Sequence, residues 1–204
     1  MSVPNLDKEV QKALKDLERC YSRVIPVKVG KEVVSSVRQN FRSGGFYCQR
    51  WQTTKRQQVP FTGASGRYGP LLSRTTHLMS STDYVPGNAR VTIRNTAPYA
   101  QYHNEGATST VTPKMKKFFW AKYYESGLAS QIYGSGKGKR MKQKSDAFAK
   151  ESDFWKAMAL KKPGSKIRIP KRQFLGPSPQ VDRLVSDIVN KELEQFIINS
   201  SVNL

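Results

Sequence analysis

The chain has 204 residues, 37% of them hydrophobic and 25% charged, with 35 Lys and Arg against 15 Asp and Glu, a net charge of +20. That length suits one domain, or one domain with an insertion, large enough to bury its own core, and the composition excludes a disordered chain. No apolar run reaches the roughly 18 residues that cross a bilayer, the first residues lack the apolar stretch of a secretory leader, and Cys20, Cys48, His77 and His103 make neither a disulfide framework nor a zinc module.

In chain order, Leu6, Val10, Ala13, Leu14 and Leu17 recur every three or four residues and predict a helix capped by Asn5. Lys8, Lys12, Lys15, Asp16 and Arg19 take its other face, and Pro26 is expected to break it. Gly30, Val33, Val34, Val37 and Phe41 predict a second helix, stopped at Gly44-Gly45. Its valines lower the intrinsic propensity, so its packed face must hold it. Residues 46–70 have no period and read as a long loop carrying Phe46, Tyr47, Trp51, Phe61 and Tyr68. Leu71, Leu72, Leu78 and Met79 suggest short helical turns. Residues 81–95 predict a hairpin turning at Pro86-Gly87-Asn88, with Val91 and Ile93 inward and Arg90, Thr92 and Arg94 outward. Pro98 to Gly106 reads as a short helix closed by its glycine.

Residues 107–165 read as an insertion. Lys114, Lys116 and Lys117 interleave with Phe118, Phe119, Trp120, Tyr123 and Tyr124, a pattern that serves either base stacking with phosphate pairing or a charged-rim protein interface. Lys137, Lys139, Arg140, Lys142 and Lys144, set among Gly134, Gly136 and Gly138 without an acid, predict a solvated, mobile segment. Ala147 to Ala159 suggests a helix ending near Pro163-Gly164, and Ile167 and Ile169 a strand ended by Pro170. Ser178 and Pro179 then open the clearest helix, striped by Val181, Leu184, Val185, Ile188, Val189, Leu193, Phe196 and Ile197.

Catalytic signals are weak. Gly134 to Lys139 departs from a phosphate loop, because Arg140 follows the lysine and no buried strand precedes it. His103-Asn104-Glu105 has the H-x-E spacing of zinc deaminases without the P-C-x-x-C that holds the metal. A Cys48 pair with either histidine has no local support, and the acids show no paired pattern for metals. No catalytic residue, metal or cofactor is expected. The residues leave open a protein that works by binding an acidic partner surface, a basic nucleic-acid-binding module, and an enzyme such as a nuclease, which would need clustered carboxylates.

Three ordered stretches carry a resemblance: Gly69 to Ser81, then Pro98-Tyr99-Ala100-Gln101-Tyr102-His103-Asn104-Glu105-Gly106, then Ile169-Pro170-Lys171-Arg172-Gln173-Phe174-Leu175-Gly176 before the last helix. This is similar to the phage virion morphogenesis, or tail completion, family of Mu-like phages and prophages, with its P-Y-A-x-x-H-x-x-G and I-P-x-R-x-F-L-G motifs. Family members often carry glycine, in a T-G-x-L pattern, where this chain has Thr76. The expected fold is α+β: a small antiparallel sheet, with the 82–95 hairpin and the 166–169 strand, packed by N- and C-terminal helices. One domain is expected over 1–204, with a core of about 5–106 and 166–198 and a basic-aromatic insertion at about 107–165. Pro98, Tyr99, Ala100, His103 and Gly106, with Pro170, Arg172, Phe174, Leu175 and Gly176, are expected to hold loops at an interface. Tyr99 and Tyr102 should pack on the sheet, His103 and Glu105 face a rim, and Arg172 point outward. The resemblance implies tail completion or head–tail joining by a ring of subunits. Its implied partners are further copies of itself, tail tube or connector proteins, and DNA non-specifically, with no membrane. The implied location is a virion assembled in the bacterial host cytoplasm.

Overall fold

In the computed structural model, which describes residues 4–54, 68–73 and 75–201, the N-terminal helix does not break at Pro26. Helix α1 (Pro4–Arg19) runs through a π-helical turn, Cys20–Val24, into α2 (Ile25–Ser43). The Ile25 N–H bonds the Cys20 carbonyl five residues back. That wider turn re-phases the ladder just before the residue that lacks an N–H and crowds the preceding turn. The expected break is therefore a bulge, and Asn5 lies inside α1 instead of capping it. Along the chain follow β1 (Gly45–Phe46), β2 (Gln49–Arg50), α3 (His77–Ser80), β3 (Thr82–Gly87), β4 (Arg90–Asn95), α4 (Ala100–Glu105), β5 (Ala107–Thr110), α5 (Pro113–Gly134), α6 (Lys139–Ala159), β6 (Lys166–Ile169) and α7 (Pro179–Ser201). Of the expected loop at 46–70, residues 55–67, with Phe61, lie outside the described residues.

The class is α+β, with helices packing small antiparallel strand pairs. One detail differs. Among the described residues the strands form three separate pairs, β1–β2, β3–β4 and β5–β6, so the 82–95 hairpin and the 166–169 strand share no sheet. Strand β6 pairs instead with β5, from Ala107↔Ile169 to Thr110↔Lys166. The Ala-Thr-Ser-Thr of β5 carries no apolar alternation, which hid the partner.

Two units divide the chain: Met1–Ser43, Leu78–Ala97 and Phe174–Leu204 form the first, Gly44–His77 and Pro98–Gln173 the second. In the first, α2 is the central element. Its buried face of Val29, Val33, Val34, Val37 and Phe41 packs against β3, β4 and α7, and Phe41 meets Phe174, both fully buried, at 5.1 Å between ring centroids. Buried Thr82 and its register partner Asn95 tie the open end of the hairpin. The Asn95 amide donates to the Leu78 carbonyl at 2.7 Å and to the Thr82 hydroxyl at 2.8 Å. At the other end Pro86 and Gly87 are strand residues, and the turn falls one residue later, at Asn88-Ala89, with Ala89 at φ 49°. The Ala89 N–H bonds the Ser22 carbonyl at 3.1 Å, which fastens the hairpin tip to the π-helical turn. Helix α7 starts as expected, Ser178 Oγ accepting from the Gln180 N–H at 3.2 Å.

The second unit contains the antiparallel hairpin α5–α6. Thr112 caps α5 by accepting from the Met115 N–H at 3.2 Å, with Pro113 in the first turn. Phe119 stacks on Trp155 at 6.0 Å and Tyr133 on Phe148 at 5.4 Å. Small residues lie between: Ser126 and Ser152 are buried, and Ser130 and Ser145 each donate to the other's carbonyl at 3.0 and 2.9 Å. Small side chains there let the helices approach while the aromatics fill the ends. The segment expected to be mobile is helical from Lys139, and the hairpin turn is confined to residues 135–138. Its anchor comes from the facing helix, because the Lys144 ammonium lies 5.0 Å over the Tyr133 ring.

Two substitutions test this packing. A Cβ at Gly30 would lie 2.2 to 2.8 Å from Tyr84 ring atoms. Overpacking of that kind costs about 1–3 kcal/mol, against about 1 kcal/mol gained from alanine's helix propensity. Gly30→Ala should therefore lower stability in urea melts, and Tyr84→Leu in the same chain should recover part of the loss. In the second unit, burial pushes the Glu151 carboxyl above its ordinary value, opposed by the Trp155 indole N–H at 3.3 Å and by nearby Lys122. The folded state thus holds this proton more tightly than the unfolded chain. The ionised form carries a penalty at neutral pH that fades as pH falls through the raised value. Glu151→Gln keeps the accepting oxygen, so it should raise the melting temperature at pH 7 and lose that advantage below about pH 4.

Candidate functional site

The two motif segments meet in the second unit. The Arg172 N–H donates to the His103 carbonyl at 2.8 Å. Gly106, which closes α4, has φ 81° and ψ 159°, a region open essentially to glycine alone. Space demands glycine as well, since a Cβ there would lie 2.9 Å from the Lys171 nitrogen and 3.2 Å from the Ile169 oxygen. A third strand of chain crosses at the same place. The Trp51 indole N–H donates to the Gln173 carbonyl at 2.7 Å, and Arg172 Nε donates to the Gln52 carbonyl at 2.9 Å. Arg172 was expected to face outward and is buried, because its guanidinium bridges two backbone segments 120 residues apart in sequence. Pro170 ends β6 as expected.

Both histidines of the chain approach one tyrosine. His77 Nδ1 and the Tyr99 hydroxyl lie 2.8 Å apart, and the Tyr99 ring meets His103 edge-on at 5.9 Å. Ala100 is buried, His103 is half-buried and Glu105 is exposed. Tyr102, expected on the sheet, is 57% exposed, because the helical turn of α4 puts it opposite Ala100. In the first unit Phe174 is fully buried on Phe41 while Leu175 is half-buried, and Gly176, at φ 143°, lets the chain turn into α7. The motif residues therefore hold backbone segments together. Among the described residues, no group of three or more His, Cys, Asp or Glu is placed to hold a metal.

The candidate cations fall into two clusters at opposite ends of the α5–α6 hairpin. Lys114, Lys116 and Lys117 lie at its base, and Lys137, Lys139, Arg140, Lys142 and Lys144 at its tip, about 30 Å away along the helix axis. Lys144 is spent on Tyr133 and Lys116 is half-buried, while the other six are exposed. The base also holds Lys161, Lys162 and Lys166, which sequence reasoning passed over. Their loop is tied to Val111, whose N–H bonds the Ser165 carbonyl at 2.8 Å. The Lys161-Lys162 pair was the available signal. Charge is divided unequally between the units. Residues of the second carry 22 Lys and Arg against 5 Asp and Glu, those of the first 13 against 10. Among the described residues the ion pairs are Lys28–Glu192 and Lys122–Glu125, and no candidate cation takes part in either.

The family model of the phage virion morphogenesis family matches residues 6–194. The chain belongs to the phage virion morphogenesis family. It matches no curated protein and no solved structure. A role in building phage particles follows from this membership, together with contact with other phage structural proteins. No described helix is long and apolar enough to cross a membrane.

Family membership also gives meaning to Thr76. Thr76, where the resemblance leads one to expect glycine, has φ 48°, a left-handed conformation that a β-branched residue adopts only under strain. The chain makes this turn with threonine and carries the strain. Thr76→Gly should stabilise the chain by about 0.5–1 kcal/mol, since strain relief exceeds the added unfolded-state freedom of glycine. A lower urea midpoint in the variant would contradict this account.

Proposed function

We propose that the chain acts in tail completion or head–tail joining of a tailed phage or prophage. It works as one copy of a ring that binds its neighbours and tail tube or connector proteins, and it performs no turnover. The observation that carries this reading is the α5–α6 hairpin of a virion morphogenesis protein, whose solvent side exposes large apolar residues, beside Glu125 and Gln131, where a lone helix pair should be mostly polar. Phe118, Tyr124, Leu128 and Ile132 are 51% to 66% exposed along α5, and cation clusters bound them at both ends. An apolar centre with a charged rim has the anatomy of a protein interface. In this reading the chain is one domain, and the insertion at 107–165 is its docking arm. The location is a virion component put together in the host cytoplasm. The +17 of the second unit favours acidic partner surfaces and non-specific contact with passing DNA.

A basic nucleic-acid-binding module is the second reading, supported by the same charge. Aliphatic Leu128 and Ile132 at the centre of the hairpin's solvent side favour protein over bases. Replacing Lys114, Lys117, Lys137, Lys139, Arg140 and Lys142 together by Gln tests both, and Lys144 is spared because it packs on Tyr133. The variant should fold as well as the wild type, since these cations are solvated. It should fail to restore joined virions to a phage lacking the chain, counted by electron microscopy. Isolated wild-type chain should bind duplex DNA no tighter than about 10⁻⁶ M at physiological salt, within the ordinary non-specific range. Much tighter DNA binding, with virions restored by the variant, would favour the second reading.

A further inference from the structure

We propose that copies of this chain join by seating α1 of one copy on the solvent side of the α5–α6 hairpin of the next. The inference rests on the ring reading above and names its interface. Helix α1 leaves its apolar stripe in solvent: Val10, Leu14 and Tyr21 are 50% to 59% exposed and Leu17 37%. Leu193 of α7 lines the same groove and extends the face. Charge on α1 is segregated around that stripe. At about 100° per residue, Asp7 and Glu18 border it on one side and Glu9 and Asp16 on the other, while Lys8, Lys12, Lys15 and Arg19 take the opposite face. All four carboxylates are exposed, and neither ion pair among the described residues includes them.

The hairpin offers the complement. Its outward line of Phe118, Tyr124, Leu128 and Ile132 spans about 21 Å, with Glu125 on the same side paired to Lys122, against about 16 Å from Val10 on α1 to Tyr21 in the π-helical turn. Cations end that line at Lys114 and Lys117 and again at Lys137 and Lys139. Each face is mismatched with its own twin. Two α1 faces would set carboxylates against carboxylates, and two hairpins would set lysines against lysines, a costly arrangement in a contact. Each face is matched by the other, and one chain carries both. A contact between different patches of identical chains is heterologous, and it repeats from copy to copy, closing a ring where its rotation allows.

The experiment uses the purified full chain, with assembly read by mass photometry and light scattering. Leu14 and Leu128 are exposed, so Leu14→Glu and Leu128→Glu should leave the thermal melt unchanged. Each should abolish assembly, weakening the contact about tenfold or more by placing a charge in its apolar centre. Mixed in equal amounts, the two variants should form dimers and nothing larger, because each retains the face that the other has lost. Glu9→Lys with Asp16→Lys should also dissociate the oligomer, and adding Lys114→Glu with Lys117→Glu to the same chain should restore it. A wild-type chain that stays monomeric, a Leu128→Glu chain that still assembles, or a mixture that stays monomeric overturns the inference. Virion restoration is scored separately. Chains that restore joined virions without this contact leave the proposed function standing, and chains that assemble through it without restoring virions leave only the contact.

Discussion

The close backbone approach at Gly106 is the constraint on which the second unit depends. With no Cβ, this residue lets α4 run directly against Ile169 and Lys171, and the Arg172 N–H then reaches the His103 carbonyl. From there β5 and β6 can pair only in register, and the bonds between Val111 and residues 164 and 165 finish the closure. The long segment in between is thereby pinched off at its root. Loop-closure entropy grows only slowly with length, so a closed root makes a long hairpin thermodynamically tolerable. Motif residues that resemble a binding patch in the sequence are thus a clamp, and they set where the hairpin leaves the body of the unit.

The hairpin itself is built against ordinary helix preferences. Serines and glycines lie where α5 and α6 approach, and aromatics fill the ends, so the pair holds by close backbone packing. Cations crowd the first turns of α6, where the helix dipole disfavours positive charge. A sequence shaped for the stability of an isolated subunit would put acids there and polar residues along the outer side of α5. It carries lysines and apolar side chains instead, which makes sense when another surface covers them.

The first unit shows a parallel economy. Glycine at position 30 lets the Tyr84 ring lie flat on α2, and the hairpin then covers the valine face that gives this helix its stability. Because the π-helical turn carries the chain past Pro26 without a break, α1 projects as a continuation of α2. A true break would have let α1 fold back and bury its own stripe. The proline and the bulge together keep that stripe in water.

Much of this was legible in the sequence, wherever the determinant was local. The Ser178-Pro179 start of α7, the alternation at Val91 and Ile93, the glycine that closes α4 and the valine stripe of α2 each declare themselves within a turn or a strand pair. The family motifs were legible as patterns, though their work was not. Four features were decided only by tertiary structure. Strand β5 exists because β6 supplies its partner edge. Helix α5 has its apolar and polar residues spread over all sides, so no period marks it, and α6 supplies the face that it packs on. Arg172 is buried because Gln52, 120 residues away, brings a carbonyl to its guanidinium. The mobile reading of Lys139 to Lys144 failed because Tyr133 and Phe148 stack across the hairpin. In each case the deciding partner lies beyond the reach of hydrogen-bond ladders and side-chain periodicity, which report only on near neighbours in the chain.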